Sequence, residues 1–369
     1  MITLPSRPRI LVTRADRIGD LVVSTPVFAA LREKFPDAWI AALVFAENRE
    51  LVEGHPALDE VILYDKKGSE KGWLGNFAFS RRLAAKHFDA VIHLHSTNRM
   101  HWAGYLAGIP VRIGWDRKCS WALTHPRKDV KSEGKKHEAL YNFELLEDFG
   151  IWPPQELETH FTLSPKARRS VEELFFQLGI PADKPLLVLH PTASCPSKMW
   201  PASRFAELAD LAARKYGATI VLVGSDKDRQ VSAEIAAACS ASVCDLGGRL
   251  SLSMLGVLLR ESAALVSNDT GPVHIASAVG TPVVSIFGRN QPGLSPARWK
   301  PLGKNARVVW RDVGCHPCLA HDCRINFLCL DVISVSDVLR ELESLGSVWQ
   351  KIPFASDIEE VPAKTGERP

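Results

Sequence analysis

The chain has 369 residues, of which 46% are hydrophobic and 24% charged, and its formal net charge at pH 7 is +3. This size predicts two domains with a substantial buried core, and a charge so near zero gives no reason to expect nucleic acid as a partner. The apolar runs reach only about 5–8 residues, whereas a membrane-spanning helix needs roughly 20. The amino-terminal sequence also lacks the apolar core of a signal peptide. We therefore expect a soluble cytoplasmic enzyme.

Short β-branched runs alternate with helical patterns along most of the chain, which predicts parallel sheets covered by helices on both faces. The predicted strands of the first half are RILVT, WIAALVF, EVILYD, DAVIHLH and VRIGWD, with helices at LVVSTPVFAALREKF and NFAFSRRLAAKHF. Those of the second half are PLLVLHP, ATIVLVGS, AALVSND and PVVSIFG, with SRFAELADLAARKYG among its helices. We predict two doubly wound α/β domains, at 1–165 and 166–349, and a disordered tail at 350–369.

The loop after the first predicted strand reads RADRIGDLVVSTP, and it contains one glycine, Gly19, instead of a glycine-rich phosphate loop. Asp20 falls where the helix is predicted to start, so it suits a helix cap and also a general base. Arg14 and Arg17 flank it and are candidates for steering an anionic substrate. Asp16 is interpreted as a solvated turn residue.

Two loops of the second half have the residue types of an anion site. HPTASCPSKMWP follows a strand and supplies hydroxyl groups, including Thr192 and Ser194, together with the cation of Lys198. NDTGPVH places Gly271 at a helix start and His274 one turn later, where it can add a hydrogen bond or positive charge. Together they predict a diphosphate site in the second domain.

Several common nucleotide motifs are absent from the sequence. No GxGxxG follows the first strand and no GxxxxGK[ST] occurs, which argues against a nicotinamide dehydrogenase and a P-loop NTPase. No DxD cluster lies at a strand end, which weakens the case for a catalytic divalent metal.

Residues 99–136 are distinctly basic and contain three tryptophans, Trp102, Trp115 and Trp121. A solvated loop explains this as well as contact with a phosphorylated saccharide or an anionic membrane surface. The basic residues are Arg99, Arg112, Arg117, Lys118, Arg127, Lys128, Lys131, Lys135 and Lys136.

Four of the eight cysteines lie close together, at Cys315, Cys318, Cys323 and Cys329. Four thiolates are enough for a structural zinc or iron site, but the spacing matches no common zinc module. We favour reduced thiols without metal over a structural metal site.

Three segments together resemble the ADP-heptose:lipopolysaccharide heptosyltransferases of glycosyltransferase family 9. They are RIGDLVVSTPVFAALREKFPDA, HPTASCPSKMWPASRFAEL and NDTGPVHIASAVGTPVVSIFG, and the similarity extends over most of residues 9–346. The resemblance implies the GT-B fold, two Rossmann-like domains facing a central cleft, and an inverting transfer that needs no metal cofactor. It implies an ADP-heptose donor and a lipid A–core saccharide acceptor, with peripheral contact at the inner membrane.

The resemblance also implies roles for individual residues. Asp20 matches the proposed catalytic base, and Arg14, Arg17, Arg99 and Arg112 become acceptor-binding candidates. The donor-binding positions are Thr192, Ser194, Lys198, Asp226, Asp269, Thr270, Gly271 and His274. A transferase or 2-epimerase for another nucleotide sugar, and a non-catalytic saccharide-binding relative, stay open, as do the acceptor's identity and the oligomeric state.

Overall fold

The computed structural model describes residues 1–181, 183–316, 318, 320–346 and 348–354, and within them twelve strands form two six-stranded sheets. The first sheet contains β1 (Arg9–Thr13), β2 (Trp39–Phe45), β3 (Glu60–Tyr64), β4 (Ala90–His93), β5 (Val111–Trp115) and β6 (His125–Arg127). The second contains β7 (Leu186–His190), β8 (Thr219–Leu222), β9 (Val243–Asp245), β10 (Ala264–Asn268), β11 (Val283–Phe287) and β12 (Ala306–Trp310). We call each sheet with its helices the first and the second unit.

Both sheets are parallel throughout and have the same doubly wound topology. The strand orders are β3-β2-β1-β4-β5-β6 and β12-β11-β10-β7-β8-β9. The order therefore reverses between β1 and β4 in the first unit and between β7 and β10 in the second. Ligands of open α/β sheets bind beyond the carboxyl ends of the strands at such switch points. The predicted α/β fold with two Rossmann-like units is confirmed.

The helices connect successive strands and cover both faces of each sheet. They are α1 (Ile18–Val22), α2 (Thr25–Lys34), α3 (Gly72–Ala84), α4 (Asn98–Leu106), α5 (Glu138–Glu144), α6 (Pro165–Leu178), α7 (Ala202–Tyr216), α8 (Arg229–Ala238), α9 (Leu252–Glu261), α10 (Gly271–Ala278), α11 (Pro296–Trp299), α12 (Leu328–Asp331) and α13 (Val335–Glu343). Among the described residues no helix combines the length and the apolar character needed to cross a bilayer.

One cluster of buried apolar side chains extends across both units. It includes Ile10 on β1, Phe161 in the connection and Val188 on β7, none of them more than 5% exposed. Burial of apolar area of this kind stabilises the docked arrangement by about 25 cal/mol for each Å² removed from water. The two switch points are therefore held in a common frame.

The helix predicted after β1 is in fact two helices. Pro26 has no N–H to donate to the carbonyl of Val22, and the hydroxyl of Thr25 donates to that carbonyl instead, at 2.8 Å. The side chain of Ser24 similarly donates to the carbonyl of Asp20. These bonds end α1 after five residues and turn the chain into α2.

The predicted disordered tail begins too early. Phe354 donates its backbone N–H to Glu261 at 2.6 Å, and its ring lies 5.4 Å from that of Phe175. Residues 350–354 therefore pack on the second unit, whereas the remainder of the predicted tail, 355–369, lies outside the described residues. The domain boundary at 165/166 stays a prediction, although the sheets themselves separate between β6 and β7.

Candidate active site

The two switch points meet where α1 of the first unit contacts α10 of the second. A Cβ on Gly19 would lie 2.7 Å from Cδ2 of His274, and one on Gly271 would lie 2.8 Å from Cγ2 of Ile18. Real Cβ atoms do not approach other atoms so closely, so both glycines are required for this docking. Gly19 lies inside α1, where its missing side chain makes room for His274.

Asp20 is the third residue of α1 and lies beside this contact. Arg17 occupies the cap position and the Asp20 side chain makes no cap hydrogen bond, so the predicted capping role is wrong. Its Oδ1 accepts a hydrogen bond from Nη2 of Arg14 at 2.7 Å. Burial raises the pKa of Asp20 above its ordinary value, Arg14 opposes the rise, and the charges of Asp16 and Glu138 add to it. A raised pKa makes this carboxylate a stronger base.

Arg14 orients Asp20 and is itself enclosed. It is 1% exposed and donates to the carbonyl of Leu94 at 3.0 Å and to Glu138 at 3.1 Å, besides Asp20. Its guanidinium therefore already donates to three groups of the protein, and direct contact of Arg14 with the acceptor stays a prediction. Arg17 is exposed. Burial raises the pKa of Asp269 and the charge of Arg17 opposes that rise, which places Arg17 toward the second unit.

His95 is a site residue that sequence reasoning missed. It follows β4, at the same switch point as Arg14, and its Nδ1 lies 2.9 Å from Oδ2 of Asp16. Asp16 is therefore held by His95 and by Arg14, whose Nη2 lies 3.9 Å from Oδ2, and the solvated turn predicted for it is wrong. The sequence carried a signal for His95, because it lies two residues beyond β4, the strand that pairs with β1 at the switch point.

The two predicted donor loops are joined by hydrogen bonds. Lys198 donates Nζ to Oδ2 of Asp269 at 2.5 Å and to the Asp269 carbonyl at 3.1 Å. Asn268 donates to the carbonyl of Pro191 at 2.7 Å and accepts from the backbone N–H of Trp200 at 3.0 Å. Asp269 is buried, so its role here is to hold the lysine at the mouth of β7 and β10.

The hydroxyl residues of these loops differ in accessibility. Thr192 is buried and Ser194 is exposed, with Cys195 its nearest polar partner at 3.9 Å. Thr270 precedes α10, and its Oγ1 lies 3.2 Å from Nδ1 of His190. Ser194 is thus the hydroxyl free to turn toward a ligand.

His274 is enclosed and uncharged. Burial, together with the charges of His137 and Lys198, lowers its pKa to about 3. The prediction that it adds positive charge is therefore wrong at neutral pH, although a neutral imidazole still forms hydrogen bonds. Among the described residues its Nδ1 has no hydrogen-bond partner.

The loop HPTASCPSKMWP, called the lysine loop below, has a second cation beside it, Arg289. Sequence reasoning missed this residue as well. It follows the end of β11 and donates Nη2 to Ser197 at 2.9 Å and to the sulfur of Cys195 at 2.7 Å. It is 7% exposed, and no carboxylate lies within ion-pair distance of it among the described residues. Burial raises the pKa of Asp269, and the charges of Lys198 and Arg289 oppose that rise.

Comparison with known proteins agrees with this geometry. Residues 76–328 match the sequence model of glycosyltransferase family 9 (heptosyltransferase). The chain belongs to this family. It is a glycosyltransferase, as predicted.

Three similar proteins illustrate the relationship. Lipopolysaccharide heptosyltransferase 2 of Escherichia coli K12 is 27% identical over 351 residues, which cover 91% of this chain and 98% of that protein. The structure of the E. coli ADP-heptose lps heptosyltransferase II is 26% identical, with a TM-score of 0.77 over 93% of this chain and 99% of the other. A family 9 glycosyl transferase from Veillonella parvula, 25% identical, superposes with a TM-score of 0.84 over 93% and 98%.

Asp226 of this family 9 glycosyltransferase lies beyond the carboxyl end of β8, next to the switch strand β7. It is exposed, and Oδ1 accepts from Nη2 of Arg229 at 2.8 Å. The position is open to a ligand, and ribose binding there stays a prediction.

The acceptor-side candidates are largely bound to the protein. Arg112 donates to the carbonyls of Ile109 and Ala122, both at 2.5 Å, and Arg99 lies 3.4 Å from the hydroxyl of Tyr64. Most of the basic stretch pairs with carboxylates: Arg117 with Asp129, Arg127 with Glu147 and Asp148, Lys131 with Glu138, Lys135 with Glu133, and Lys136 with Glu144. Five of these nine described residues are therefore paired, which reduces the positive charge that the stretch offers to a ligand, and contact with the acceptor stays a prediction.

The cysteine segment lacks a metal-binding arrangement in the part of the chain that is described, where no three His, Cys, Asp or Glu side chains are placed to hold an ion. Burial and the neighbouring thiols raise the pKa of Cys329 to about 11, so that thiol is protonated at neutral pH. Pro317 and Leu319 of this segment do not belong to the residues that the structure describes.

Proposed function

We propose that this glycosyltransferase moves heptose from ADP-heptose to a saccharide of the lipopolysaccharide inner core, by inversion, with Asp20 as base and without a catalytic metal. One observation carries the proposal: the desolvated carboxylate of Asp20 lies on α1, the helix of the first switch point that packs against the start of α10 at the second. The names of the similar E. coli proteins support the donor and the acceptor class.

The geometry supports a direct displacement. The acceptor hydroxyl oxygen attacks the anomeric carbon while its proton passes to Asp20, and the bond from that carbon to the β-phosphate oxygen breaks. ADP departs with the electron pair, so negative charge grows on its terminal phosphate. Lys198 and the amino-terminal end of α10 supply the opposing charge, and Arg289 adds to it from behind the lysine loop. Excluding water at the docked units protects the donor from hydrolysis.

Replacing Asp20 tests the assignment. Asp20→Asn should lower kcat for transfer by roughly 10²–10⁴-fold, because the amide cannot accept the proton. ADP affinity by calorimetry should stay near that of the wild type, since the donor binds to the second unit. Transfer is measured by mass spectrometry on a panel of truncated core saccharides, with excess EDTA to test metal independence. Asp37→Asn, which changes an exposed aspartate of the first unit outside the site, is the matched control, and wild-type turnover in Asp20→Asn would exclude the base role.

We propose that the protein contacts the membrane through an exposed face of the first unit, formed by α3, α4 and the turn at 120–122. Side chains there that are at least 43% exposed are Trp73, Leu74, Phe77, Trp102, Tyr105, Leu106 and Trp121. The Trp121 ring lies 5.8 Å from that of Trp102 and 5.3 Å from that of Tyr105, so these three aromatic rings form one continuous surface. Amphipathic aromatic rings favour the membrane interface, which supports peripheral binding at the inner membrane. Trp115, also considered for this role, is 1% exposed and excluded from it.

Vesicle sedimentation tests the membrane face. Trp102→Ser/Trp121→Ser should lose most of its binding to vesicles that contain anionic phospholipid, because the apolar anchor is removed. Trp152→Ser is the control, since Trp152 is 65% exposed but lies outside this face. Equal binding by the double variant and the wild type would contradict the assignment.

A further inference from the structure

A buried ionic network joins the two units beside the proposed base. Glu138, the first residue of α5, is 1% exposed and accepts from Nη2 of Arg14 at 3.1 Å and from Nζ of Lys131 at 2.8 Å. Its other oxygen accepts from Nε and Nη2 of Arg298 at 2.9 and 2.7 Å. Arg298 belongs to α11 of the second unit, so its two-pronged contact with Glu138 crosses the boundary between the units.

Neighbouring contacts confirm that this boundary is a docked surface. Nε2 of His137 lies 2.9 Å from the carbonyl of Lys300. A Cβ on Gly134 would lie 1.9 Å from the carbonyl oxygen of Pro292, a backbone approach that only glycine permits. Separation of the units would remove these contacts and the Arg298 hydrogen bonds together.

Arg14 links this boundary to the base, because one of its nitrogens serves two carboxylates. Nη2 donates to Glu138 at 3.1 Å and to Asp20 at 2.7 Å. When Arg298 is present, Glu138 forms ion pairs with three cations, Arg14, Lys131 and Arg298. Its charge is then compensated, so Arg14 stays closer to Asp20. Without Arg298, Glu138 would keep a larger uncompensated charge and draw Arg14 away from Asp20.

We propose that Arg298 and Glu138 are positioning residues, which hold Asp20 in place through Arg14 only while the two units are docked. This rests on the proposed function, since it requires Asp20 to be the base. In this arrangement Asp20 can accept the proton only when the two units are docked. The base is then aligned at the time when the second unit delivers the donor.

Charge removal on the second unit tests the coupling. Arg298→Met should lower kcat roughly 10- to 100-fold, as expected for a misplaced catalytic group, and leave ADP affinity unchanged. The acidic limb of the kcat–pH profile should move to higher pH, because an uncompensated Glu138 raises the pKa of Asp20. The groups facing Asp20 are Arg14, Asp16, His95 and Glu138. Those facing Glu138 are Arg14, Lys131, Arg298 and His137.

A double variant separates coupling from a purely structural bond. In Arg298→Met/Glu138→Gln the uncompensated carboxylate is gone, so kcat should recover in part and the acidic limb should move back. Arg298→Lys keeps the charge and should retain most of the activity. Lys300→Met removes an exposed cation from the same loop and should resemble the wild type, and thermal unfolding of each variant reports its stability.

The outcomes are distinguishable. Wild-type kcat in Arg298→Met, or a double variant no better than Arg298→Met with no movement of the acidic limb, would overturn the coupling. If Asp20→Asn is inactive in that case, the proposed function stands without it. If Asp20→Asn is fully active, the proposed function itself fails.

Discussion

At the scale of single residues, the charged groups of the site are held mainly by one another. Arg14 is bonded to Asp20 and Glu138, and Lys198 to Asp269, in each case with most of the cation buried. A cation that is already paired binds a ligand by sharing or exchanging its partner, so its position is set before the ligand arrives. The sequence identified Asp20 and Lys198 by their loops, but Glu138 lies 124 residues from Arg14 and carried no local signal.

Lys198→Ala should weaken ADP binding roughly 10- to 100-fold, the range expected when a charge-assisted contact of about 1.5–3 kcal/mol is lost. Calorimetry measures the effect, with Lys166→Ala on the exposed surface of α6 as the control for charge. Lys198→Ala/Asp269→Asn removes the carboxylate left behind by the single change. Wild-type affinity in this double variant would mean that the lysine does not bind the phosphates.

Buried histidines make stability depend on pH. Burial lowers the pKa of His55 to about 3 and that of His190 to about 4, whereas unfolded histidine titrates near 6.5. Between these values the unfolded chain binds more protons, so the free energy of unfolding falls as pH decreases below about 6.5. Each histidine should contribute up to roughly 1.4 kcal/mol per pH unit. Urea unfolding at pH 7 and pH 5 measures the slope.

The matched variant for this prediction is His55→Asn. Its amide oxygen can accept the hydrogen bond that Nδ1 of His55 receives from the backbone N–H of Ala57 at 3.1 Å, and it does not titrate. The variant should show a shallower dependence on pH than the wild type. An identical slope would mean that His55 keeps an ordinary pKa.

At the scale of helices and strands, the central strands were predictable and three of the four edge strands were not. β2 is an uninterrupted apolar run with five fully buried residues, because helices cover both faces of a parallel sheet. The edge strands β6 and β9 have three residues each, none of them buried, and the sequence predicted neither. Edge strands lack a second neighbour, so their pattern does not distinguish them from loops. β12, another edge strand, was missed for the same reason, whereas the fourth edge strand, β3, was predicted from its apolar run.

The break between α1 and α2 also depended on particular side chains. An apolar helical pattern runs through Val22, Val23 and Val27, which is why a single helix was predicted. The hydroxyl of Thr25 occupies the carbonyl that Pro26 leaves without a donor. The break places Asp20 in a short helix at the boundary of the units instead of at the cap of a long one.

At the scale of the whole molecule, docking of the units brings the site together. The α1–α10 contact requires two glycines, one from each unit, and the boundary between α5 and α11 is closed by Arg298 and Glu138. The loop that carries the base and the loops that bind the donor belong to separate sheets. They come together only because the α1–α10 and α5–α11 surfaces of the two units are complementary.

Gly19→Ala tests the docking directly. The added methyl group would overlap with the buried ring of His274, so the units should move apart. We expect a larger radius of gyration in X-ray scattering and a kcat lower by roughly 10-fold or more. Ala30→Gly, a change of the same size on the far part of α2, should leave both unchanged. An unaltered scattering profile and kcat in Gly19→Ala would show that the contact is not required.

The sequence by itself determined the alternating α/β architecture, the family and the loops that carry Asp20, Lys198 and His274. These depend on local chemistry, namely apolar periodicity and polar residues at strand ends, which short segments express without the rest of the chain. Only the tertiary structure decided the state of those side chains. Whether Arg14 meets a ligand or a buried Glu138, and whether His274 is charged or neutral, depends on burial and on partners far along the chain, because desolvation and pairing arise only when the two units pack together.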